Sequence, residues 1–152
     1  MRFGSLPDSM AMAKRIASWP RVIIAAPSYL ARTGTPTTPA DLAAHSVIVA
    51  PSRLGRSWSF NKKGKTTLVT VNGRLVVTYN EVGIAAAVAG LGLVSMTIGA
   101  AKRELAEGAL VRVLADWDMG EIELHAVFPA GRAAKPAARA FVDFLIAEFA
   151  ND

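Results

Sequence analysis

The stretch TYNEVGIAAAVAGLGLVSMTIGAAKRELAEGALVRVL, Thr78 to Leu114, decides the fold. Asn80 stands as a helix N-cap before a run rich in Ala and Val, and Gly90 and Gly92 end that run. Leu93 to Ile98 reads as a buried strand, Gly99 to Glu107 as a second helix and Leu110 to Leu114 as another strand. Helix, strand, helix, strand is the grammar of an α/β sheet covered by helices. The inward positions are small or aliphatic, so the rest of the chain has to wrap this stretch.

Working toward the N-terminus, Val22 to Ala26 is an apolar run between Pro20 and Pro27 and reads as a short buried strand. Ser28 is placed to cap a short helix at Tyr29 to Arg32, which Gly34 ends. Pro39 sits at the first turn of a second helix that ends near His45. Val47 to Ala50 is a strand. Trp58–Phe60, Thr66–Val71 and Arg74–Thr78 follow as short strands, joined by hairpin turns at Lys63-Gly64 and Asn72-Gly73. Toward the C-terminus, Ile122 to Phe128 alternates as a strand. A last helix begins near Pro136, with Ala138, Phe141, Val142, Leu145, Ile146 and Phe149 on one apolar face.

The 152 residues fit one domain or two small lobes, and a hydrophobic content of 52% excludes a disordered chain. No apolar run reaches the ~18 residues of a membrane span. Cysteine is absent, so disulfides, thiol nucleophiles and thiolate metal sites are excluded, in keeping with a reducing cytoplasm. The net charge of +5 is uneven: residues 1–74 hold 11 Lys/Arg against 2 Asp/Glu, and the remainder 6 against 10. The basic residues are scattered except at Lys62-Lys63-Gly64-Lys65, which reads as a solvated turn.

Catalytic chemistry finds little support. Gly90-Leu91-Gly92 follows a helix and precedes a strand, the reverse of a dinucleotide-binding loop. His45 and His125 lack an adjacent nucleophile, and Asp116, Asp118, Glu121 and Glu123 straddle a turn as a solvated cluster. No spaced ligand set suggests a metal, and no cofactor is expected. The start of the helix at Asn80 is the better candidate, because free N–H groups and the helix dipole there favour an anion or a carboxylate.

The segments VIIAAPSYLARTGTPTTPADLAAH, TYNEVGIAAAVAGLGLVSMT, ELAEGALVRVLADW and ELHAVFPAGRAAKPAARAFVDFL together resemble the effector-binding domain of LysR-type bacterial transcriptional regulators, across essentially the whole chain. The resemblance implies an α/β, type 2 periplasmic-binding-protein-like fold with two lobes joined by two crossing strands. It places residues 1–27 in a partial proximal lobe, 28–123 in the distal lobe, and 124–152 in the return strand and proximal C-terminal helix. By position, effector contacts fall at Phe3, Gly4 and Ser5, at Tyr79, Asn80, Glu81 and Val82, and at Ser95 and Met96. The implied function is sensing of a small anionic metabolite by a non-enzymatic, cytoplasmic, homo-oligomeric regulator.

Family members begin with a helix-turn-helix and a linker helix, and these are not in this sequence. A truncated N-terminus and an incomplete proximal lobe are therefore expected, with DNA reached only through a domain outside this chain. The alternative is a stand-alone interaction or dominant-negative module that pairs with full-length regulators. Uncovered apolar surface is expected to drive association.

Overall fold

The computed structural model describes residues 2–3, 12–50, 56–128 and 135–150, with residues 2, 3 and 12 as backbone only. The chain divides into two compact units. A terminal unit comprises Met1–Trp19 with Glu121–Asp152, and a central unit comprises Pro20–Gly120.

Strand β1 (Arg2–Phe3) is followed by β2 (Met12–Ala25), helix α1 (Pro27–Thr33), a 3-10 helix at Pro39–Ala44 and β3 (Val47–Val49). Next come β4 (Ser57–Lys62), β5 (Lys65–Thr70), β6 (Gly73–Val76) and helix α2 (Asn80–Val88). Strand β7 (Leu93–Thr97) leads through a 3-10 turn, Ile98–Ala101, into α3 (Lys102–Ala106). Strands β8 (Val111–Val113) and β9 (Glu121–Phe128) precede the last helix, α4 (Pro136–Phe149).

In the central unit β3 lies between β6 and β7, parallel to both, and β2 pairs antiparallel with β7 and with β8. Val22–Ala26, Val47–Val49, Leu93 and Val94 are buried at 5% exposure or less. They read as near-continuous apolar runs because both faces of such a sheet are covered. Helix α2 lies on one face. Its Gly83 approaches Val94 and Met96, and Ala86 and Ala87 are buried, so small side chains let the helix sit close to the strands. Gly90 takes φ +74° and closes the helix, while the Leu91 amide reaches back to the Ala86 carbonyl. Gly92 has a different reason. A Cβ there would drive into the Ser46 carbonyl, which accepts the Leu93 amide at 2.9 Å.

Strands β4 and β5 form a separate hairpin. Its turn has Lys63 at φ 53° and Gly64 at φ 79°, the two successive positive values of a type I′ turn. The second expected hairpin, at Asn72-Gly73, is not formed: β6 joins the main sheet beside β3. Glycine is needed at position 73 because a Cβ would strike the Val49 side chain, not because a turn demands it.

Three other expectations are corrected. Strand β2 continues through Pro20, which lies at the junction of the two units with its ring exposed. An X-Pro bond in extended conformation is compatible with a strand where no ladder amide is required. Ser28 does not cap α1; Ala26 occupies that position and Pro27 opens the helix. The helix opened by Pro39 is 3-10, and the Asp41 carboxylate accepts the amides of Thr37 and Thr38, each at 2.8 Å.

In the terminal unit, β1 pairs antiparallel with β9, with Arg2 opposite His125. Val142 of α4 packs with Ile16, Leu124 and Ala126, and Trp19 meets Phe149 edge-on at 5.5 Å. Phe141, expected on the covered face, is 55% exposed, and Phe144 beside it is 56% exposed. A helix's covered stripe is narrower than its apolar one when a single layer of strands backs it.

Two measurements check this account. Gly92→Ala is expected to destabilise the chain by about 2 kcal/mol, read as a lowered urea midpoint at unchanged slope. The two amides hold the Asp41 carboxyl down to about 2 from its usual 3.8. A depressed folded value contributes stability above the unfolded pKa and loses it as pH falls. Asp41→Asn is therefore expected to flatten the fall of the urea midpoint between pH 4 and pH 2.

Candidate functional site

Helix α2 begins where β6 ends, so its N-terminus lies at the carboxyl end of the parallel strands β3, β6 and β7. Ligands of open α/β sheets gather at this end. The N-cap position is occupied by Tyr79, with extended φ −111° and ψ 138°, and no side chain caps the helix. Asn80, expected as the cap, is instead the first helical residue. A residue already in helical geometry cannot turn its side chain onto the N3 amide, which is why the capping role is lost. The first intrahelical donor is Gly83, to the Tyr79 carbonyl at 3.2 Å. The amides of Asn80, Glu81 and Val82 precede it and are the unpaired donors that every helix start presents. Tyr79 is 69% and Val82 50% exposed, and Asn80 and Glu81 are exposed too. Glu81 already places one carboxylate in this first turn.

Ser95 lies on β7, on the sheet face away from α2, and its hydroxyl accepts from Arg21 Nε at 2.7 Å. Met96 points to the opposite face and is buried beneath Gly83 of α2. Within the central unit Met96 therefore shares the face of α2, and Ser95 addresses the opposite one. Phe3 lies in β1 of the terminal unit, and Gly4 and Ser5 lie outside the described residues.

Most of the other candidate polar groups have local partners. His45 is 8% exposed; its Nδ1 lies 3.1 Å from the Tyr29 hydroxyl, which also accepts the Ser46 amide at 2.9 Å. His125 Nε2 faces Glu123 at 3.5 Å, while its buried Nδ1 has no partner among the described residues. Asp116 pairs with Lys62 at 3.6 Å, Asp118 accepts the Gly120 amide at 2.8 Å, and Glu123 pairs with Arg15 at 3.2 Å. Three of the four acids of the cluster are thus dispersed onto separate partners. Among the described residues no group of three His, Asp or Glu is placed to hold a metal, and no helix is long and apolar enough to cross a membrane.

A groove of about 1020 Å³ runs between α2 and α3, lined by Glu81, Ile84, Val88, Lys102, Arg103 and Glu107 among others. Val88 and Leu91 beside it are 41% and 56% exposed. Arg103 contacts Glu104 at 2.7 Å; the hydrogen bond to this carboxylate raises the arginine's pKa, while a backbone hydrogen bond and then Arg103 lower that of Glu104.

This α/β architecture belongs to the regulatory domains of bacterial transcription regulators. The family model for the LysR substrate binding domain matches residues 1–150, and the chain belongs to that family. An HTH-type transcriptional regulator of Xanthomonas campestris pv. campestris is 33% identical over 96% of this chain and 44% of its own length. The full-length virulence activator AphB of Vibrio cholerae superposes with a TM-score of 0.79 at 26% identity, over 97% of this chain and 50% of that one. The regulatory domain of CrgA from Neisseria meningitidis gives 0.77 at 25% identity, over 96% and 72%. The chain spans about half the length of the curated relatives it matches. The likeness bears out the periplasmic-binding-protein-like fold class and the LysR resemblance, and the relatives are regulators rather than enzymes.

Proposed function

We propose that this chain senses a small organic anion at the start of α2 and passes that binding to a DNA-binding parent regulator in the cytoplasm. The observation that carries this reading is the uncapped N-terminus of α2 at the carboxyl end of three parallel strands. Amides aimed outward from a nine-residue helix bind an anion without requiring a charged side chain. Tyr79, Asn80 and Val82 offer exposed side chains around it, and Glu81 would select against multiply charged ligands by like-charge repulsion. The proposed distal lobe, residues 28–123, is supported by the compactness of Pro20–Gly120.

Asn80 makes no capping bond, so Asn80→Ala is expected to leave the melting temperature nearly unchanged, where loss of a true cap costs about 1 kcal/mol. The same substitution is expected to weaken whichever acid binds. The test is a thermal-shift screen of mono- and dicarboxylates against the wild-type chain. A screen in which no acid gives a saturable rise would remove the sensing assignment.

Association through α2 is a second part of the proposal, favoured by the exposed Val82, Val88 and Leu91 beside the α2–α3 groove. A second copy, or a full-length regulator, would cover this face. Val88→Asp places a charge there and is expected to shift the chain toward monomer in analytical ultracentrifugation. Unchanged sedimentation would assign association to another surface.

A further inference from the structure

Arg21 is the first residue after Pro20 in the run Arg21-Val22-Ile23-Ile24-Ala25-Ala26, whose other five members are buried apolar residues. Its register partner is Thr97, the last residue of β7. It therefore stands at the same carboxyl end of the parallel strands as the start of α2. Its guanidinium is half-buried. Nε donates to Ser95 Oγ at 2.7 Å, and the guanidinium carbon lies 5.5 Å from the ring centroid of Trp58, itself 1% exposed.

What is missing is a counter-charge. The Nη groups have no hydrogen-bond or ion-pair partner among the described residues. Asp41 is held by Thr37 and Thr38, Glu104 by Arg103, Asp116 by Lys62 and Asp118 by Gly120. Residues 51–55, Pro-Ser-Arg-Leu-Gly, contain no acid. Burial lowers the pKa of Arg21, and no neighbouring anion among the described residues opposes it. Withdrawing a cation from water without a partner is costly, and an arginine cannot relieve the cost by losing its proton. Packing against Trp58 would be served as well by a methionine or a leucine. A group kept charged at this cost is suited to an anion that arrives from solution.

We propose that Arg21 binds the carboxylate of a small organic acid through its Nη edge, with Ser95 fixing Nε and Trp58 fixing the guanidinium plane. This rests on the ligand-sensing role proposed above and adds to it a charged side chain at the same end of the sheet, on the face away from α2. One planar guanidinium matches a planar carboxylate through two parallel N–H···O bonds. The Ser95 bond leaves the guanidinium rotation fixed before the ligand arrives, so little ordering entropy is lost on binding.

The experiment uses the whole 152-residue chain, with sodium benzoate as probe and benzamide, its neutral isostere, as control at matched sodium chloride. The arginine Nε–H region of an 15N-correlated NMR spectrum is followed, with the Arg21 signal assigned by its loss in Arg21→Lys. Benzoate is expected to shift the Arg21 Nε–H and Ser95 amide signals saturably, and benzamide to leave them in place. Arg21→Gln is expected to weaken benzoate at least about fivefold, as for loss of a charge-assisted pair. An Arg21 signal that does not move saturably, or an Arg21→Gln chain that binds benzoate less than about fivefold more weakly, overturns the proposal. Should Arg21→Gln fail to fold, the wild-type Nε–H titration decides alone. Acids from the screen that shift the Asn80 and Glu81 amides but not Arg21 would leave ligand sensing standing and remove this assignment. Benzoate seated on Arg21 with no acid of the screen reaching α2 would do the reverse.

Discussion

The central unit depends on one close approach. The Leu93 amide meets the Ser46 carbonyl at 2.9 Å, and the residue before it has to be glycine because a side chain there would displace that carbonyl. This contact joins β7 to β3 at the start of both strands and sets their parallel register, Val47 opposite Leu93. Register then decides the faces. Val94 and Met96 turn toward α2, and Ser95 turns toward Arg21. A one-residue slip would reverse them, burying the serine beneath the helix and leaving the arginine facing methionine. Packing and the candidate site are therefore fixed by the same pair of backbone atoms.

The order of elements was readable from periodicity and punctuation, and the reasons are specific. Lys63-Gly64 formed the expected turn because both residues have to adopt positive φ there. The run Leu93 to Ile98 was recognisable as a strand because Leu93, Val94 and Met96 make it mostly apolar, and the strand ends one residue earlier, at Thr97. Asn72-Gly73 misled for a physical reason. The same dipeptide that favours a turn is also compatible with a glycine required by close packing, and sequence does not show whether Val49 lies opposite. Asn80 misled because the cap position is defined by one residue's dihedral angles, and Tyr79 takes them. Helix boundaries are uncertain by a residue or two, and here one residue decides whether a side chain caps or merely flanks.

The site was legible in part. A helix start following a strand can be seen in sequence, and so can the polar Asn80 before an apolar run. The association of residues 21, 58 and 95 cannot, because it is made by the antiparallel pairing of β2 with β7 and the packing of the β4–β5 hairpin near them. One signal was available: a single arginine heading a strand that is otherwise wholly apolar. Such a residue is either a surface cation or a functional one, and only its burial distinguishes the two.

The Tyr29 hydroxyl has a consequence for how this chain can vary. The Ser46 amide donates to it at 2.9 Å and His45 Nδ1 lies 3.1 Å from it, so one hydroxyl serves a backbone amide and an imidazole nitrogen together. Tyrosine and histidine are thus one polar unit buried between α1 and β3. Phenylalanine at 29 would strand an imidazole nitrogen and a backbone amide together, whereas a change at 45 alone leaves only a hydroxyl with one partner fewer. The two positions are coupled and unequal, and drift in homologous chains should pass through the histidine before it reaches the tyrosine.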